Sequence, residues 1–162
     1  MPNQGPVKFF KCRANAATPK YQTPGAAGFD LSATHDLIIP PGMTAVAQTG
    51  LKFEIPEGFE LQIRQRSGLS LRTKLRMANA PATIDSDFRG EVEIILENVV
   101  TPAQYPQQYE QQILRFKAGE RIAQGIIAPV VQGLFEEVAD VRVFEIAVGR
   151  KIGDKAARYV DH

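Results

Sequence analysis

Two aspartates, Asp85 and Asp87, stand two residues apart between Thr83 and Phe88, just before an alternating apolar segment. In an extended chain, side chains two apart point the same way. Such a pair of acids suits a water-bridged Mg²⁺ ion or a general base. Asn79 lies six residues upstream of Asp85, and its carboxamide both donates and accepts, as reading an amide or imide edge requires. The same residues also suit an Asp-rich turn with ion pairs to Arg89. A second cluster is Arg64-Gln65-Arg66-Ser67-Gly68-Leu69, where a strand meets a short helical stretch. Arginine, a hydroxyl and free helix-start amides form an anion site, or else a capped surface turn with solvated arginines. A third places Asp30 among small residues, Ala26-Ala27-Gly28-Phe29-Asp30-Leu31-Ser32-Ala33. Small side chains permit close backbone approach, to another strand or to a ligand. The fourth, Gly119-Glu120-Arg121-Ile122-Ala123-Gln124, reads as a turn followed by a strand.

The rest of the composition limits the alternatives. There is one cysteine, Cys12, and two histidines, His35 and the terminal His162. That excludes an internal disulfide and disfavours a multi-Cys or His-based zinc centre. Nineteen Lys+Arg balance eighteen Asp+Glu, which argues against a nucleic-acid partner but leaves room for a local basic site for a small polyanion. No apolar run is long enough for a membrane helix, so no membrane partner is expected. The first residues, Met-Pro-Asn-Gln-Gly-Pro, lack the basic and apolar regions of a signal peptide. The expected location is cytoplasmic, or the nucleus or interior of a virus-infected cell, and not secreted.

The elements that must hold these clusters are short. Pro and Gly recur throughout, and the segments between them alternate with period two. Val92, Ile94 and Leu96 alternate with Glu91, Glu93 and Glu97; Leu51, Phe53 and Ile55 alternate with Lys52 and Glu54; Leu61 and Ile63 alternate with Gln62 and Arg64. Strands are also expected over 7–12, 37–39, 44–48, 126–131 and 141–146. Turns are expected at Pro40-Pro41-Gly42 and Pro56-Glu57-Gly58. One short helix is expected over Ser67–Thr73, with Ser67 as its N-cap. The pattern predicts an all-β sandwich or barrel. Residues 101–112, with five Gln, two Pro and two Tyr, read as a long polar loop. The expected organisation is one domain over 1–148 and a basic tail over 149–162.

Taken in order and spacing, the four clusters resemble motifs of the trimeric dUTP diphosphatase (dUTPase) family: AGFDLSA the first, RSGLS the second, NAPATIDSDFRGE the third and GERIAQ the fourth. The resemblance covers about residues 24–132. It implies an all-β, small jelly-roll-like β-barrel, a homotrimer with active sites shared between subunits, Mg²⁺ on the triphosphate, and conversion of dUTP to dUMP and pyrophosphate. By the same resemblance Asp85 would activate the water and touch the sugar, and Asn79 would read uracil. Thr83 and Ile84 would offer backbone contacts to the base. Phe88, where the family usually has Tyr, would pack on the deoxyribose. Arg66, Ser67 and Gly68 would bind phosphate from a second subunit, with Gln124 near the α-phosphate. Asp30 would orient water around Mg²⁺. Gln65, Lys74 and Ala82 depart from the family pattern, and residues 101–112 resemble an insertion. The family's Gly-rich C-terminal motif is replaced by GRKIGDKAARYVDH, where Arg150 and Tyr159 are the candidates for a substitute lid. Two other functions fit less of this pattern: a nucleotide-binding regulatory protein with weak or no turnover, and a relative of dCTP deaminase or another dNTP pyrophosphatase.

Overall fold

The computed structural model describes residues 6–101, 103 and 106–138. Eleven strands and one short α-helix are present among them: β1 (Lys8–Lys11), β2 (Phe29–Ser32), β3 (Leu37–Ile39), β4 (Thr44–Gln48), β5 (Leu51–Glu54), β6 (Phe59–Arg64), α1 (Ser67–Arg72), β7 (Leu75–Met77), β8 (Ala82–Ile84), β9 (Glu93–Asn98), β10 (Leu114–Phe116) and β11 (Arg121–Pro129). They form four antiparallel sheets with orders β1-β5, β10-β3, β2-β11-β6-β8 and β4-β9-β7. The all-β architecture with one short helix agrees with the sequence pattern.

All the ladders supply side chains to one core. Leu31, Ile39, Leu51, Leu61, Ile63, Ile94, Leu96 and Ile122 are essentially inaccessible and join one cluster with Phe29, Phe53 and Phe116. Fully burying one such side chain contributes roughly 1.5–3 kcal/mol. The alternation read from the sequence is realised on β9, where Ile94, Leu96 and Asn98 face inward while Glu93 is exposed. Ile95, which broke the alternation, lies on the outer side and is half-buried. Asn98 is fully buried and bridges two segments, its Nδ2 donating to the carbonyls of Ile39 (3.0 Å) and Gln112 (2.8 Å). Both expected turns form. Met43 N–H donates to the Pro40 carbonyl and Phe59 N–H to that of Pro56, with Gly42 and Gly58 at positive φ, where a side chain would be strained.

Several local expectations change. Ser67 is not an N-cap: Arg66 occupies that position without a side-chain cap, and Ser67 is the first helical residue. The helix ends at Arg72, where Thr73 turns extended and its N–H closes on the Leu69 carbonyl. The last core strand starts at Arg121, directly after the Gly119-Glu120 turn, so it includes the fourth cluster. The short β7 and β10 were not anticipated; three residues are too few to display a period. In the polar loop, Pro106–Gln108 and Glu110–Gln112 form 3₁₀ turns. One compact unit runs to Val131, and a second begins at Gln132. The expected strand over 141–146, the expected boundary at 148/149, and the basic tail with its candidate lid lie outside the described residues.

Candidate functional site

Three of the four clusters meet on the outer face of the β2-β11-β6-β8 sheet. The register pairs Gln124 of β11 with Asp30 of β2 on one side and with Arg64 of β6 on the other. The neighbouring rung turns inward, with Gly125 between Phe29 and Ile63. A methyl group on Gly125 would stand 2.5 Å from the Phe29 ring and 2.9 Å from Leu61, so only glycine lets the core close there. Gly28 answers a question left open by its small neighbours. A Cβ on it would meet Gln124 Oε1 at 2.9 Å, so the close approach is to β11.

Asp30 is the centre of this face. Its Oδ1 takes Arg66 Nε at 3.0 Å and its Oδ2 takes Arg121 Nη1 at 3.0 Å. Arg66 Nη1 also donates to the Arg121 carbonyl at 3.0 Å. Gln124 Nε2 donates to the Gln65 carbonyl at 2.8 Å, and Ser70 Oγ donates to the Gln65 side chain at 3.0 Å. Gln65, one of the departures from the family pattern, therefore fastens the segment that carries Arg66 and Ser67. With Arg66 and Arg121 on one carboxylate and Arg64 beyond Gln124 on the next strand, this end of β6 is cationic.

The third cluster flanks β8: Asn79 precedes Ala82, the partner of Ile63, and the acids follow Ile84, the partner of Leu61, towards the other end of β6. The β8 strand pairs with β6 through Ala82–Ile63, Thr83–Gln62 and Ile84–Leu61. It is the last strand in its sheet among the described residues, so its far edge leaves backbone donors and acceptors available. Asn79, Thr83, Asp85 and Asp87 are exposed, and Phe88 is 42% exposed. Of the two readings of Asp85 and Asp87, an extended pair or an Asp-rich turn, the turn forms. A turn runs from Asp85 to Phe88, closed by Phe88 N–H donating to the Asp85 carbonyl at 3.1 Å. Arg89 does not pair with these acids; its guanidinium donates to the Ser86 and Phe88 carbonyls and so braces the turn from within. The Phe88 ring lies over Gly90, where an added Cβ would come within 2.5 Å of Cζ.

Behind the turn, Glu91 is clamped by Arg13, with Nε to Oε1 at 2.9 Å and Nη2 to Oε2 at 3.0 Å, and by the Gly50 N–H at 2.8 Å. The Arg13 hydrogen bonds hold the Glu91 carboxyl below its ordinary pKa and raise that of Arg13. This clamp was not legible in the sequence, because its partners are 78 residues apart.

Comparison with known proteins places the chain in a family. The dUTPase family model matches residues 14–151. The deoxyuridine 5'-triphosphate nucleotidohydrolase of Nautilia profundicola is 43% identical over 143 residues, covering 88% of this chain and 94% of the relative. The chain belongs to the dUTPase family. Solved dUTPases share its fold. A Staphylococcus bacteriophage 80alpha dUTPase with dUpNHpp superposes with a TM-score of 0.79 at 22% identity, covering 93% of this chain and 98% of that one. A dUTPase of phage phi11 of S. aureus, described with a structural Mg(II) ion, reaches 0.75 at 23% identity, covering 84% and 98%.

Among the described residues no group of three or more His, Cys, Asp or Glu could cage a metal. Asp30, with one oxygen accepting from Arg121 and the other in an ion pair with Arg66, retains lone pairs that can accept from water. That donor set fits a cation held mainly by a substrate's phosphates, with Asp30 touching only the cation's water.

Proposed function

We propose that this chain hydrolyses dUTP to dUMP and pyrophosphate in sites shared between the subunits of a homotrimer. The observation that carries the reading is the division of the family's site residues between the two ends of β6. Asp30, Arg66, Ser67, Gly68 and Gln124 are at the end of β6 marked by Arg64; Thr83, Ile84, Asp85 and Phe88 line the edge strand and the turn that follows it. Asp85 follows Ile84, the partner of Leu61, and Arg66 lies two residues beyond Arg64. The three strand steps from Leu61 to Arg64 alone span ~10 Å, before either flank is added. That separation supports placing Asp85 and Arg66 of one chain in different sites. Two copies of the chain, each contributing one end, supply a complete site.

In this reading Asn79 and the edge of β8 hold the uracil, and the Phe88 ring covers the deoxyribose. Arg66, with Ser67, Gly68 and Gln124, receives the triphosphate. Asp85 takes the proton as the water oxygen attacks the α-phosphorus; the bond from that phosphorus to the pyrophosphate oxygen breaks, and pyrophosphate leaves with the electron pair. When bound, Mg²⁺ supplies charge neutralisation on the triphosphate, and Asp30 orients a water of that ion. Phosphoryl transfer of this kind depends on positioning and charge stabilisation more than on covalent chemistry, which suits a chain with one cysteine and two histidines.

The test is release of pyrophosphate from dUTP, dCTP and dTTP in parallel, with Mg²⁺ present. The reading predicts rapid release from dUTP alone. Ammonia from dCTP would indicate a deaminase, and binding of dUTP without turnover would indicate a regulatory protein.

A further inference from the structure

Arg121 has no assigned part in the reaction, yet it is built into the cationic end of the site. It is three residues from Gln124, and on a regular strand that odd spacing puts two side chains on opposite faces. Here they share a face because β11 bulges. The pairing with β2 runs Arg121–Ser32, then Ala123–Leu31 and Gln124–Asp30, leaving Ile122 as the extra residue. Ile122 and Ala123 are consecutive, yet both point into the core, at 1% and 0% exposure. A bulge of this kind re-aims a side chain. Without it, Arg121 would be opposite Ala33, on the buried side.

We infer that Arg121 is a positioning residue that fixes the guanidinium of Arg66 for the triphosphate. The inference rests on the reading of this face as the phosphate side. Arg121 acts through two contacts. Its carbonyl accepts from Arg66 Nη1, and its guanidinium occupies Oδ2 of Asp30, so that Oδ1 is left for Arg66 Nε. Arg66 is thereby held by an ion-pair contact at Nε and a hydrogen bond at Nη1, and Nη2 is left as the donor for a phosphate oxygen. Fold stability does not account for the Arg121 side chain. It is 53% exposed and makes a single ion pair, and a pair that exposed contributes little. What the second cation changes is the carboxylate. With Arg66 alone, Asp30 could rotate and chelate that arginine through both oxygens, withdrawing it from the substrate. With Arg121 on Oδ2, one oxygen is committed and Arg66 keeps its orientation.

The test compares Arg121→Ala and Arg121→Lys with the unchanged full-length protein. Two measurements are made: hydrogen exchange at the Arg66 guanidinium by NMR, and the kinetics of dUTP hydrolysis, which give kcat and KM. The inference predicts that Arg121→Ala speeds exchange of the Arg66 guanidinium N–H protons and raises KM by about tenfold, the scale of one misplaced charge-assisted hydrogen bond. It predicts that kcat falls less than KM rises, and that Arg121→Lys, which keeps a cation on Asp30, recovers most of both. In an Arg66→Ala background, Arg121→Ala should add almost nothing. An additive effect there would mean that Arg121 meets the phosphates itself, and unchanged Arg66 exchange would mean that nothing is positioned; either result overturns the inference. If the unchanged protein does not hydrolyse dUTP, the functional reading fails, while the exchange measurement still decides whether Arg121 positions Arg66.

Discussion

Arg66 and Asp85 flank opposite ends of the same strand, β6, Arg66 beyond its last residue and Asp85 beyond the partner of Leu61. Each stands at the end of β6 whose chemistry suits it. Arg66 is seated on a half-buried carboxylate and a carbonyl. Asp85 is exposed at the start of a braced turn with an aromatic ring three residues on. On the proposed function, a single copy of the chain presents two half-sites, and activity depends on how copies join them.

Asp85→Asn keeps the shape of the turn and removes the base. Loss of a positioned general base costs about 10²–10⁴-fold in rate. The expected outcome is a fall of that size in kcat for dUTP, with nucleotide affinity retained because Arg66 and its neighbours are unchanged. Single-turnover kinetics with parallel binding measurements check both halves; near-normal turnover would remove Asp85 from the mechanism.

Phe88 carries no hydroxyl, so its ring can reject a ribose only by packing. A buried 2′-OH facing carbon costs roughly 1–3 kcal/mol. The expected preference is for dUTP over UTP by at least about tenfold in kcat/KM, shrinking markedly in Phe88→Ala. Equal use of UTP by the unchanged protein would show that Phe88 is not at the sugar.

The clamp on Glu91 sets an acid limit. Its carboxyl, held below its ordinary pKa first by the Arg13 hydrogen bonds, binds fewer protons folded than unfolded. The stability it contributes is present above the ordinary glutamate pKa and is lost as pH falls through that value and then through the lowered one. Asp36, lowered by Lys117 and the Ala118 N–H, acts in the same direction. Thermal unfolding from pH 7 down to pH 3 should show Glu91→Gln less stable at pH 7 and closing on the unchanged protein as the pH falls. A constant gap between the two across that range would contradict the clamp.

Gly125 is expected to resist substitution although it touches no substrate. Gly125→Ala forces a methyl group against Phe29 and Leu61, and overpacking of this kind costs about 1–3 kcal/mol. The midpoint of thermal unfolding should drop by several degrees. An unchanged midpoint would mean that Phe29 moves freely.

Much of this was legible in the sequence because it is periodic or punctuated. The alternation at Leu51–Ile55 and Leu61–Arg64 and the Pro-Gly turns located strands and reversals, and the order of the four clusters implied the family. What was not legible depends on contacts remote in sequence. Asp30 and Arg121 are 91 residues apart, and Arg13 and Glu91 are 78 apart. The bulge at Ile122 had a faint signal, an apolar Ile-Ala doublet between Arg121 and Gln124, but a doublet does not say which residue is extra. Of the two readings of the acidic pair, the turn is the one that forms, without the ion pairs to Arg89: Asp85 opens a turn, and a turn breaks the two-residue alternation that would align it with Asp87.

The most direct test of the shared site mixes two inactive proteins. Asp85→Asn and Arg66→Ala would each be purified, combined in equal amounts, dissociated and reassembled, and assayed for pyrophosphate release from dUTP. If Asp85 of one subunit works with Arg66 of its neighbour, about one quarter of the sites in random trimers pair two intact halves. The account therefore predicts recovery of about a quarter of the unchanged activity from two preparations that are each nearly inactive. If the mixture stays as inactive as its parts, with light scattering showing that mixed trimers have formed, both residues act within one chain and the account is wrong.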